Sequence, residues 1–189
     1  RSGAPPVLDQ GYANQSQDFT PVVLAVKQSG ADVLGTYFTF ENDLGIFARQ
    51  LRQLGVNIPW VGSPSVVAVS STKLAGPALF GTYGVADFAE DSSATAKAFG
   101  KAYRDAYKTA PDNQSAWPYD AITILSAAIN KAGSTDPTKI REAILATQKF
   151  AGAEGEYNFD KNGDGLHGYN VVKNEKGTIV YDKHIDFND

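Results

Sequence analysis

The sequence predicts an α/β fold built on a parallel sheet with helices on both faces. Three observations predict it. Apolar runs of strand length alternate with segments of helical spacing from Pro5 to Val85. The alternation then stops, and residues 92–147 hold three helical segments with no strand between them. From Ala151 the chain returns to extended segments separated by Asn-Gly and Lys-Gly turns.

Residues 5–12, "PPVLDQGY", read as a strand after a Pro-Pro entry, and Asp18 is placed to cap a helix running to Gly30. Residues 32–37 read as the next strand. From Asn42, the residues Leu44, Phe47, Ala48, Leu51 and Leu54 fall on one helical face, with Arg49, Gln50, Arg52 and Gln53 opposite, and Gly55 ends the segment. A strand at 58–62, a short helix at 70–76 and a strand at 78–85 follow. This order fits a sheet covered on both sides. Helices are then expected over 92–109, 118–132 and 137–147, and extended segments in "GEYNF", "YNVVK" and "GTIVYD". Three apolar helix faces without strands of their own need a sheet from elsewhere, so part of the fold is expected to lie outside this chain.

The composition narrows the function classes. With 42% hydrophobic residues among 189, the chain can bury a core as one domain or two small ones. The net charge is -4, and the 17 Lys and Arg are scattered, which argues against a nucleic-acid surface. There are no cysteines, so disulfides and thiolate chemistry are excluded. No stretch reaches the roughly eighteen apolar residues of a membrane span. The chain opens at Arg1 without a Met, which reads as a processed, trimmed or incomplete start.

Most motifs fail on inspection. "DKNGDG" at 160–165 begins like a calcium loop, but its twelfth position is Val171 rather than Glu, so a plain turn is expected. His167 and His184 are the only histidines and lack metal-ligand spacing, so both read as surface or packing residues. There is no "GxSxG" elbow and no phosphate-cradling glycine loop; neither a hydrolase nor a nucleotide binder is supported, and no cofactor is expected. Glu41 and Asp43 sit at a helix start, where complementing the positive helix end is the ordinary explanation.

Two features survive. "GTYFTFEND" at 35–43 puts Tyr37, Phe38 and Phe40 at the carboxyl end of a strand, the edge where open α/β sheets bind ligands. "GSPS" at 62–65 follows the next strand at the same edge, and Ser63 and Ser65 are suited to hydrogen-bond a polar end of a small molecule. Aromatics supply apolar contact and Tyr37 a hydroxyl; the competing explanation is that Phe38 and Phe40 are core and "GSPS" a turn. Tyr83, in the following strand, completes the candidates.

The succession "DFTPVVLAVKQSGADVL", "GTYFTFENDLGIFARQLRQLG", "PWVGSPS", "KLAGPALFGTYGV", "WPYDAITILSAAINKAG" and "GEYNFDKNGDG" resembles, in order, the later part of the periplasmic solute-binding proteins of ABC transporters, of the branched-chain amino-acid (Leu/Ile/Val) type. The likeness spans nearly the whole chain. It implies a type I periplasmic-binding fold: two α/β lobes joined by three crossovers, with ligand trapped in the cleft by hinge closure. On that template 1–86 and 155–189 form most of the second lobe, a three-layer parallel-sheet lobe. Residues 87–154 form a helical segment of the first lobe, whose sheet is absent from the chain.

The resemblance further implies a non-catalytic, periplasmic or secreted protein that captures a small amino-acid-like or carboxylate metabolite for a membrane permease. Tyr37 and Phe40 would be cleft walls, with Ser63 and Ser65 opposite. One departure matters. Amino-acid binders of this family carry an acidic residue on the "GSPS" loop to meet the ligand ammonium, and Pro64 stands there. A buried ammonium without a counter-charge is costly. Either Glu41 or Asp43 substitutes, or the ligand is an aromatic acid, short carboxylate, amide or other small metabolite. The alternatives are a ligand-sensing ectodomain of the same fold and, from another class, a flavodoxin-like enzyme. The naked helices would be covered by the missing N-terminal lobe or by a second copy.

Overall fold

The chain folds into two compact units. The computed structural model describes residues 5–166 and 168–186, so His167 lies outside the described residues. One unit holds the chain up to Val85 with Lys173–Ile179, and the other holds Ala86–Val172 with the chain from Val180.

The first unit begins with α1 (Thr20–Gln28). Asp18 Oδ1 accepts from the Thr20 N–H at 2.8 Å, and Pro21 sits in the first turn, where its missing N–H has no intrahelical acceptor to lose. Next come β1 (Leu34–Thr36), α2 (Glu41–Gln53), β2 (Trp60–Gly62), α3 (Val69–Ala75) and β3 (Tyr83–Ala86). β1 pairs parallel with β2, and β2 with β3, in a register that aligns Thr36, Gly62 and Gly84. The helix α2 turns Leu44, Phe47, Ala48 and Leu51 inward, and all four are buried. Phe47 meets Trp60 edge-on at 5.7 Å, which seats α2 on the sheet face carrying Leu34 and Trp60.

Two expected strands differ. No strand forms over 5–12. β1 is the edge strand of its sheet, so the segment is not paired, and Pro5 and Pro6 bring no N–H to a ladder. Instead Tyr12 lies against Phe38 and Phe19, with ring centroids 4.7 and 5.4 Å away. The strand expected from residue 78 starts only at Tyr83, because Pro77 holds Gly76–Leu79 in a 3-10 turn.

The second unit contains α4 (Ala94–Tyr107), α5 (Asn113–Ala132) and α6 (Pro137–Leu145), with the short antiparallel pair β4 (Phe150–Ala151) and β5 (Glu156–Tyr157). Ser93 caps α4 by accepting from the Ala96 N–H at 3.0 Å, and Asp136 caps α6 through the Thr138 and Lys139 amides. α5 starts five residues ahead of the expected Pro118, since Ser115 Oγ accepts from the Asp112 N–H at 2.9 Å and closes its first turn. Phe88, Ala96, Ala116 and Ala153 form the buried centre, with Phe99 against it. Trp117, Tyr119 and Ile122 remain 54%, 52% and 65% exposed along α5.

The last two strands, β6 (Gly168–Glu175) and β7 (Thr178–Asp186), are joined by Lys176 and Gly177, both at positive φ (55° and 95°). That is the two-residue hairpin geometry whose twist matches its strands. Residues 160–165 form a turn in which the Asp160 carboxylate accepts from the Asn162 and Asp164 amides.

Candidate functional site

At the carboxyl ends of β1 and β2, two loops meet and are fastened to each other. Phe38 carries the fastening through its backbone. Its N–H donates to Ser63 Oγ at 3.2 Å, Ser63 and Ser65 hydroxyls lie 2.8 Å apart, and Ser65 Oγ donates to the Phe38 carbonyl at 2.9 Å. One proton arrangement satisfies all three: Ser63 accepts from Phe38 and donates to Ser65, which donates back to Phe38. Below the ring, the Trp60 indole N–H donates to Thr36 Oγ1 at 2.8 Å. Gly62 lets the two loops approach, since a Cβ there would strike Val66 and come within 2.9 Å of Thr36 Oγ1.

The serines therefore shape the edge from within, and Ser63 is buried. The aromatics divide. Phe38 is core, packed on Phe47 and Phe19, whereas Tyr37 is 77% and Phe40 41% exposed. Glu41 begins α2 beside Phe40, and its Oε2 accepts from the Ser70 hydroxyl of α3. Asp43 is buried and accepts from the Gln15 N–H at 2.8 Å, so its charge is committed to holding the preceding segment. Tyr83 is not brought to this edge. It pairs with Val61, one row before Gly62, on the sheet face where both are 40% exposed, and the Lys173 ammonium lies 5.6 Å from its ring centroid.

The edge thus presents a phenol, an exposed apolar ring and a carboxylate around a rigid polar staple. It can grip an amphipathic small molecule. Among the described residues no group of three His, Cys, Asp or Glu is placed to hold a metal ion.

A second polar centre, in the second unit, went unseen in the sequence. Asp120 of α5 is fully buried; its Oδ1 accepts from the Ala153 N–H at 2.7 Å and its Oδ2 from the Glu154 N–H at 2.9 Å. The Tyr157 hydroxyl reaches Glu154 Oε2 at 3.0 Å and Asp120 Oδ2 at 3.3 Å. Burial, then the charges of Asp87 and Asp120, push the Glu154 carboxyl up to about 8. The signal in the sequence was an Asp on an otherwise apolar stretch in "PYDAITIL" and the glycines of "GAEG". A Cβ on Gly152 would come within 2.6 Å of Asp120 Oδ2.

Comparison with known proteins gives a consistent result. Residues 1–178 match the periplasmic binding protein family. A Leu/Ile/Val-binding protein homolog of Brucella suis is 27% identical over 176 residues, covering 93% of this chain and 47% of that protein. A leucine-, isoleucine-, valine-, threonine- and alanine-binding protein of Pseudomonas aeruginosa is 29% identical over 179 residues, covering 94% and 45% respectively. The crystal structure of a leucine binding protein from Thermotoga maritima superposes with a TM-score of 0.86 at 27% identity, over 94% of this chain and 51% of that one. The chain spans about half the length of these relatives.

Proposed function

Because the chain belongs to the periplasmic binding protein family, a family of binding proteins rather than enzymes, we propose that it is the later part of an extracytoplasmic solute-binding protein. It captures a small amino-acid-like or carboxylate metabolite and presents it to the membrane permease of an ABC transporter. Its homologues in Brucella and Pseudomonas bear the names of branched-chain amino-acid binders, which supports that solute class. Among the described residues no helix is long and apolar enough to cross a membrane.

The observation that carries the reading is the fastened loop pair: Ser63 and Ser65 fix the Phe38 backbone, so that exposed Tyr37 and Phe40 are held at one sheet edge with Glu41. In this reading Tyr37 and Phe40 line the solute. Ser63 and Ser65 hold the loops, and Glu41 supplies the carboxylate that Pro64 cannot. Tyr83 is the sixth candidate, set apart from the other five. Residues 1–86 and 155–189 belong to the second lobe, and 87–154 supply helices to the first. The remaining sheet comes from polypeptide beyond this chain or from a second copy, in keeping with relatives about twice as long. Solute binding shifts the lobes toward closure.

The test is a titration of aliphatic amino acids, short carboxylates and aromatic acids against the two-lobe protein and its Tyr37→Ala variant. The reading expects the preferred solute to bind the variant about tenfold or more weakly, the scale of one lost contact. Equal affinity would remove Tyr37 from the site.

A further inference from the structure

We propose that a small recess in the second unit, bordered by Asp87, Glu154, Glu156, Asn170, His184 and Asp186, binds a molecule bearing a primary ammonium group. The recess has a volume of about 190 Å³. It shares no residue with the loop edge, so the two readings stand or fall separately.

Among the described residues, four carboxylates border the recess, and His184 is the one side chain on its border able to carry positive charge. Glu154 is 7% exposed, and its Oε1 has no hydrogen-bond partner, while Oε2 is taken by the Tyr157 hydroxyl. A buried carboxylate oxygen without a donor is costly, and it marks where a donor belongs. The polar neighbours are already oriented. Asn170 Nδ2 donates to the Asp87 carbonyl at 2.5 Å, which leaves Asn170 Oδ1 as the acceptor 3.1 Å from His184 Nδ1. His184 therefore carries its proton on Nδ1, and that donor is spent on Asn170.

An ammonium group offers three donors and no acceptor, matching the surplus of acceptors. A divalent metal is a poorer match, since no three carboxylates or histidines among the described residues converge on one point. At about 30 Å³ per water, the recess holds the equivalent of about six waters, which limits the guest to a few heavy atoms.

Without a guest, the excess charge is relieved by a proton. Burial, then Asp87 and Asp120, raise the Glu154 carboxyl to about 8, and burial raises Asp87 in the same direction. The groups facing Glu154 are Asp87 after β3, Asp120 of α5, Glu156 and Tyr157 of β5, and His184 and Asp186 of β7. Proton and ammonium compete for the same oxygen, so affinity rises with pH.

Methylammonium chloride, titrated against the protein with tetramethylammonium chloride as a donor-free control, tests this. The readout is the methyl signals of Ala153 and Leu166 in a carbon–proton correlation spectrum. Expected is a saturable shift near about pH 9 that weakens about thirtyfold near about pH 6.5 through proton competition at Glu154. It is lost in Glu154→Gln and weakened in Asp87→Asn, each with an unchanged circular dichroism spectrum. No saturable shift at the higher pH, an equal shift with tetramethylammonium, or undiminished binding in both variants overturns the proposal. Should Glu154→Gln fail to fold, Asp87→Asn decides alone.

Discussion

Ser63 and Glu154 show how a single side chain can be set by its neighbours to do work its type does not announce. Ser63 looks in the sequence like a ligand-binding hydroxyl, yet its bonds run to the Phe38 N–H and to Ser65. Replacing it with Ala leaves the buried Phe38 N–H unsatisfied. Ser63→Ala is expected to cost about 1–3 kcal/mol in denaturant unfolding and to weaken solute binding by loosening Tyr37, with Ser63→Thr retaining more of both. Glu154 tests the charge side. Its folded carboxyl titrates near 8 against an ordinary value of 4.5, so the folded protein holds a proton the unfolded chain has released between those values. Stability therefore falls as pH rises from about 4.5 through about 8. Glu154→Gln removes that slope, and near about pH 9 it is expected to melt higher than the parent by on the order of 5 °C. These residues were hard to read because a hydroxyl's partners and a carboxylate's burial are set by tertiary packing. Phe38 and Phe40 illustrate the same point: two residues apart, one became core and the other edge.

At the scale of elements, the apolar periodicity of α2 was legible because Leu44, Phe47, Ala48 and Leu51 share one burial requirement, and the helix forms over Glu41–Gln53. Strands were harder. Leu34–Thr36 and Trp60–Gly62 are three residues each, too short for alternation to register. The failed strand over 5–12 follows from pairing, a property of the neighbour rather than of the segment. Where β1 and β2 approach most closely, Gly62 leaves no room for a side chain. Gly62→Ala is expected to push Val66 and Thr36 aside and to destabilise by about 1–3 kcal/mol. The shift should also break the Trp60–Thr36 hydrogen bond, readable as a change in Trp60 fluorescence. Unchanged stability would mean that the two loops are not as tightly joined as their geometry indicates.

For the whole molecule, the break in alternation after Val85 carried the most information. A parallel α/β unit followed by helices without strands is unusual for a self-contained domain. The match over residues 1–178 to periplasmic binding proteins, most of the chain against about half of each relative, is in keeping with that. The acidic centre of Asp120, Glu154 and Tyr157 stayed hidden because Asp120 lies more than thirty residues before Glu154 and Tyr157 and meets them only through folding. We propose that the fastened edge of Tyr37, Phe40 and Glu41 closes on a small solute. Native mass spectrometry of the two-lobe assembly as isolated, followed by denaturation to release bound molecules, tests it most directly. One small amino-acid-like or carboxylate molecule per assembly is expected, retained less well by Tyr37→Ala. An intact two-lobe assembly that carries no such molecule, and takes up none from a panel of amino acids and carboxylates, would contradict it.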